Sequence, residues 1–241
     1  MLTLPPSLKV TRLRTAEAEL VSKARKYVEG EDRAPGLHAS EMLDPLKAYW
    51  ARLDPRPLSD REVMTFFPGK ILHAMVLNDA TDSKDGGGVA TLEAGKTDEG
   101  SFVSADLGIT YSPDKLVRGK VREFKSTRSF YEPKNVEDLR IYAEQLLCYM
   151  AATDTTESEL WILYLNLKDK ATNKTSPEFR VFQFSITPED LLTLKSDIRG
   201  IANDLKMALQ KEDRSSLPIC REWKCGARNC EWYEKCQPRG R

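Results

Sequence analysis

Residues 158 to 167 (SELWILYLNL) are apolar enough for a buried central strand, and a strand buried on both faces needs layers of chain packed above and below it. Residues 178 to 186 (EFRVFQFSI) alternate as a half-buried strand does. Thr187, followed by Pro188, Glu189 and Asp190, is a helix start that predicts a helix to about residue 210. Upstream, Asn135 caps a helix running to about Ala152, with Val136, Leu139, Ala143, Leu146, Leu147 and Met150 behind it. A helix between strands of this kind predicts an α/β fold, a central mixed sheet flanked by helices. The 241 residues leave room for one full domain and a small appendage.

The rest of the chain fits around that centre. Residues 13 to 29 read as a charged amphipathic helix broken by GEDRAPG at 30 to 36. Ser40 is the expected N-cap of a helix carrying Met42, Leu43, Leu46, Tyr49 and Trp50, and a second apolar helix covers 60 to 77. A loop with three glycines (86 to 88) leads to strand-like runs at 89 to 94, 101 to 111 and 116 to 127. The last two flank Ser112, Pro113, Asp114 and Lys115, a turn composition that predicts a hairpin. The expected division is an appendage at 1–35, a core at 36–211 and a cysteine-rich tail at 212–241.

Lysine plus arginine (37) equals aspartate plus glutamate (37), so any affinity for nucleic acid has to come from local clustering. Between 115 and 128, Lys115, Arg118, Lys120, Arg122, Lys125 and Arg128 accompany a single acid, Glu123; this is a phosphate-contacting stripe or a solvated hairpin face. No apolar run approaches a membrane span, and the N-terminus carries Pro5 and Pro6 instead of a signal-like stretch. A reducing, cytoplasmic setting is expected.

Four of five cysteines, Cys220, Cys225, Cys230 and Cys236, fall within the last 22 residues. In a reducing compartment such a cluster binds metal; two disulfides are the alternative. Trp223, Trp232 and Tyr233 are interleaved with basic residues there, placed to shield a metal group or to stack on bases. Cys148 reads as a small buried hydrophobe.

Asp106 in one strand and Glu123 and Lys125 in the next suggest convergent chemistry, because the two-residue strand period puts Glu123 and Lys125 on one face. Carboxylates suit Mg²⁺ or Mn²⁺, and the lysine can orient an attacking water or offset charge in a phosphoryl transition state. A surface ion pair is the bland alternative for Glu123 and Lys125, as a core histidine is for His73 and an amphipathic edge is for Gln145 and Tyr149.

Taken in order, Gly69-x-x-x-His73, Asp106, Glu123-x-Lys125 and Gln145-x-x-x-Tyr149 resemble the RecB-like branch of the PD-(D/E)xK nuclease superfamily, over roughly residues 40 to 236. The Cys230-x5-Cys236 end is similar to the tails of the CRISPR-associated iron–sulfur exonucleases and the AddB-type nucleases. The resemblance implies a restriction-endonuclease-like core with an iron–sulfur tail. It implies that His73, Asp106, Glu123 and the carbonyl of Phe124 bind catalytic Mg²⁺ or Mn²⁺, that Lys125 is the catalytic lysine, and that Gln145 and Tyr149 support the site or contact DNA. It further implies an exonuclease acting on single-stranded DNA or DNA ends, with recombination or CRISPR adaptation proteins as partners. The chain departs from the pattern where Asp44 stands at the usual place of the first cluster ligand, and Cys220 adds a fourth local thiolate. The tail is then expected to hold [4Fe-4S], with structural Zn²⁺ as the alternative. Rival functions are a DNA-handover component and a catalytically silent DNA-binding module.

Overall fold

The computed structural model describes residues 14–29, 35–78, 101–117, 119–169, 171–218 and 230–236. Four strands form the main sheet: β4 (Lys115–Val117), β5 (Lys120–Thr127), β6 (Glu157–Lys168) and β7 (Thr175–Ser185), in that order. β5 and β6 are parallel, while β4 and β7 pair antiparallel on either side of them. The sheet is therefore mixed, as the sequence predicts.

The parallel pair requires a crossover, which is supplied by a short 3₁₀ turn (Val136–Leu139) and α4 (Arg140–Thr153). Asn135 Oδ1 accepts from the Asp138 backbone N–H at 3.1 Å, so the expected cap holds but starts the 3₁₀ turn. On β6, Ser158, Leu160, Ile162 and Tyr164 are buried toward α4, and Leu146, Met150 and Ala151 of α4 are buried in turn. Next, α5 (Pro188–Lys211), capped by Thr187 as expected, packs on α4 and on α2 (Pro45–Leu53). With partners on both sides, α4 is apolar around most of its circumference.

A small second sheet joins β1 (Leu37–His38), β3 (Ile109–Tyr111) and β2 (Phe102–Ser104). The hairpin expected across residues 112 to 115 does not form. Instead the two sharp reversals lie at glycines with positive φ, Gly108 (+67°) between β2 and β3 and Gly119 (+80°) between β4 and β5. Residues 112 to 114 carry the chain from one sheet to the other. Ser40 is likewise not a helix cap: it lies inside a 3₁₀ turn (Ala39–Leu43), and Pro45 restarts the chain as α2 behind Asp44. The expected strand at 89 to 94 lies outside the described residues.

On the N-terminal side, α1 (Arg14–Glu29) packs on α3 (Asp60–Asn78). Ala24, Val28 and Val63 bury one another, Tyr27 meets Phe67 edge-on, and Arg25 bonds both Asp60 and the Leu58 carbonyl. α3 reaches the main sheet at Gly69, where a Cβ would lie 3.7 Å from Ser126 Oγ of β5. No helix among the described residues is long and apolar enough to cross a membrane.

Candidate active site

Strand alternation sets up the site. On β5 the odd residues Val121, Glu123 and Lys125 share a face, paired with Ser158, Leu160 and Ile162 of β6, and that face is the one covered by α4. Glu123 is thereby a carboxylate inside an apolar layer, with only 2 % of its side chain exposed. Its Oε1 accepts from Lys125 Nζ at 2.5 Å. Its Oε2 is buried with no partner. Leaving such an atom unbonded costs about 1–3 kcal/mol, a penalty that calls for an explanation such as a catalytic role or a bound ion.

The third member is Asp114, at the mouth of β4. Its Oδ2 accepts the Phe124 backbone N–H at 2.6 Å, which carries its charge next to Glu123. Burial pushes the Glu123 carboxyl up to about 7; Lys125 opposes the rise and Asp114 adds to it. From α4, Gln145 Nε2 donates to the Tyr149 hydroxyl at 2.9 Å. Burial raises the Tyr149 phenol well above its usual range, and the Glu123 and Asp114 charges raise it further, so this tyrosine faces the two acids and stays protonated. Gln145 and Tyr149 thus lie together on one face of α4.

Asp106 lies apart from them. It sits on the exposed β2–β3 turn with 60 % of its side chain exposed, and it pairs with Arg199 of α5 at 2.7 Å. Its expected place beside Glu123 is taken by Asp114. The signal was present as Pro113-Asp114, nine residues before Glu123, but as a turn composition it pointed to a hairpin loop. The physical reason is the sheet switch. A chain that leaves one sheet and enters the next passes the edge of the second, so its linking residue reaches the strand that follows.

The remaining sequence candidates fare differently. His73 lies on α3, one turn beyond Gly69, and its side chain falls outside the described residues. The Phe124 ring points to the opposite face of the sheet, 6.3 Å from Phe179. The basic stripe is divided by the same alternation. Arg122 turns away from Glu123, pairs with Glu159 at 2.9 Å and lies 4.3 Å from the Trp161 ring centroid, while Lys120 pairs with Glu157. Arg118 lies outside the described residues. Among the described residues no three His, Cys, Asp or Glu side chains converge as a ready metal cluster.

In the tail, Cys230 is buried and Cys236 is half-buried against the main core. Cys220 and Cys225 lie outside the described residues. Cys148 is buried on α4, and burial pushes its thiol up to about 12, as a small core hydrophobe requires.

No protein-family model matches the sequence, and no curated protein matches it. Among solved structures the chain is similar to SSO0001, at 15 % identity and a TM-score of 0.53, over 90 % of this chain and 94 % of that one. It is also matched, with a TM-score of 0.44 and 14 % identity, to an alkaline exonuclease from Laribacter hongkongensis, over 75 % of this chain and 93 % of that one. A phage-related exonuclease from Haemophilus somnus follows at a TM-score of 0.35 and 13 % identity, over 83 % and 84 % of the two chains. The likeness to SSO0001 shows a shared fold.

Proposed function

We propose that the chain is a divalent-metal-dependent nuclease with a restriction-endonuclease-like core, acting as an exonuclease on single-stranded DNA or DNA ends. The observation that carries this is Glu123, a buried carboxylate with one oxygen paired to Lys125 and the other without a partner, set beside Asp114. Two carboxylates with an orphaned oxygen fit a hard cation, and Mg²⁺ or Mn²⁺ is the natural choice. Asp114 and Glu123 would hold it, with the Phe124 carbonyl and His73 as further donors on the strength of the resemblance. The ion would supply Lewis acidity toward the phosphodiester and its attacking water.

The chain's own groups do the rest. Lys125 fixes Glu123 Oε1 and keeps a cation where charge would build on phosphate. Asp114 is anchored by the Phe124 backbone N–H. Tyr149 accepts from Gln145 and so retains its own O–H to donate to a strand. The choice of DNA and of ends over interiors rests on the motif resemblance.

The same reading takes the segment after 212 as a metal clamp held by Cys220, Cys225, Cys230 and Cys236, with [4Fe-4S] in first place and Zn²⁺ as its rival. The test of function is cleavage of end-labelled single- and double-stranded DNA with Mg²⁺, Mn²⁺ or chelator. Wild-type protein is expected to cut with either metal and not with chelator, and Asp114→Ala and Lys125→Ala are expected to be inactive. Metal-independent binding without cleavage would overturn the enzyme reading in favour of a silent binding module.

A further inference from the structure

The loop that leaves β5 carries two neighbouring aromatic rings into solvent. β5 ends at Thr127, and the chain continues as RSFYEPK (128 to 134) toward the crossover. Phe130 is 51 % exposed and Tyr131 is 66 % exposed. Large rings gain most from burial, so two of them side by side in water point to a partner that covers them.

Their exposure is not that of a frayed loop. Ser129 N donates to Thr127 Oγ1 at 3.2 Å, and Ser129 Oγ donates to the Tyr131 carbonyl at 2.9 Å. The Phe130 carbonyl accepts from the Lys168 backbone N–H at 2.9 Å, and Lys134 N donates to Asp138 Oδ2 at 2.7 Å. Lys168 is the last residue of β6, so the loop lies where the parallel strands β5 and β6 end. Open α/β sheets bind their ligands beyond the carboxyl ends of such strands. Five steps of chain separate Phe130 from Lys125, which keeps their Cα atoms within about 18 Å.

Charge at this loop leans positive. Arg128 and Lys134 are both exposed, and neither side chain has an ion-pair partner among the described residues. The one acid between them, Glu132, is paired with Arg180 of β7. On β5, by contrast, Lys120 and Arg122 are already matched by Glu157 and Glu159. Rings interleaved with unmatched cations suit a single nucleic-acid strand, whose bases stack on the rings while its phosphates meet the cations. A duplex keeps its bases stacked on one another, so such rings select unpaired ones.

We propose that Phe130 and Tyr131 form a stacking platform for unpaired bases of a DNA strand entering the site at Glu123 and Lys125, with Arg128 and Lys134 on its phosphates. This deepens the nuclease reading, rests on its choice of DNA as ligand, and names the single strand as the preferred substrate. Both aromatics determine specificity: they hold the strand and take no part in breaking the bond.

The test uses the full chain as wild type, Phe130→Ala, Tyr131→Ala, the double variant, Tyr131→Trp and Arg128→Gln, with melting curves to confirm folding. Binding is read by fluorescence anisotropy, in chelator and with Ca²⁺ in place of Mg²⁺, on labelled oligothymidine, an abasic strand of equal length and a blunt duplex. Wild type is expected to prefer oligothymidine to both other probes. Each ring removed is expected to weaken oligothymidine binding by about 5-fold or more. Tyr131→Trp should keep that affinity, and the double variant should no longer tell oligothymidine from the abasic strand. Arg128→Gln should instead flatten the slope of log K against log salt by about 0.7. With Mg²⁺ the ring variants should cut oligothymidine with a raised KM and a nearly unchanged kcat. Folded ring variants that bind oligothymidine as wild type does, or a wild type that prefers the duplex, overturn this inference and leave the nuclease reading to its own cleavage test. Ring removal that dissolves a dimer of the chain while DNA binding holds overturns it in favour of self-association. Base-dependent binding without cleavage upholds the platform and overturns the enzyme, and a wild type that neither binds nor cuts any probe overturns both.

Discussion

The strand site and the tail interface each bury polar atoms with nothing to bond, but of opposite kinds. At Glu123 the lone atom is an acceptor, whereas at Trp50 and Trp232 it is a donor. An orphan acceptor is completed by a cation and an orphan donor by an electron-rich atom. The two places therefore differ in the kind of group that would satisfy them. They also differ in construction. The acceptor is fixed by the alternation of one strand and the helix that crosses it, and the donors by a terminal turn laid on α2.

The strongest way to break this contrast is at the carboxylates. Glu123→Gln or Lys125→Ala is expected to lower cleavage by about 10²–10³-fold or more, the usual cost of removing one preorganised charge. Asp106→Ala should stay within about 2-fold of wild type, as surface changes do; Asp106→Ala as damaging as Asp114→Ala would return Asp106 to the site. Next in size is the tail. Cys230→Ala is expected to lower Tm by about 5 °C or more, while the cleavage rate per folded molecule holds. A fully stable Cys230→Ala protein that no longer cuts would make the tail part of the chemistry.

A smaller effect separates the two places by pH. Glu123 has its native pKa raised from 4.5 to about 7, chiefly by burial, so the native state holds a proton that the unfolded chain releases. The stabilisation is complete below about pH 4.5 and is lost as pH rises through 7. Metal-free protein should melt lower at pH 8 than at pH 5.5, by an amount that Glu123→Gln reduces and Mg²⁺ offsets. An identical pH slope in wild type and Glu123→Gln would show that the carboxyl is not buried as described. Smallest of all, Arg199→Ala removes an exposed pair and should cost at most about 1 kcal/mol in denaturant unfolding.

The fold was legible wherever one physical signal dominated. The β6 run, the Thr187 cap and the Asn135 cap each give an element at nearly the expected place. Glu123 and Lys125 were legible for the same reason, since a two-residue period is a local property. The place of Asp114 beside Glu123 was not, because it depends on a switch between two sheets, and Pro-Asp has the composition of a turn whichever way the chain continues. The split basic stripe shows the converse error. Lys120, Arg122 and Lys125 are close in sequence, but Lys120 and Arg122 fall on the opposite side of the sheet, where Glu157 and Glu159 await them. Proximity along a strand says nothing about shared surface unless parity is counted.

The bond from Phe124 N–H to Asp114 Oδ2 has a consequence for strand phase. If β5 slipped by one residue against β6, Phe124 would turn toward α4 and Glu123 would turn out to the other face. A carboxylate tied to the backbone of one chosen residue acts as a detent against that slip. The bond that brings Asp114 beside Glu123 thus also keeps Glu123 facing inward, so an error in register and the loss of this acidic pair would be the same event.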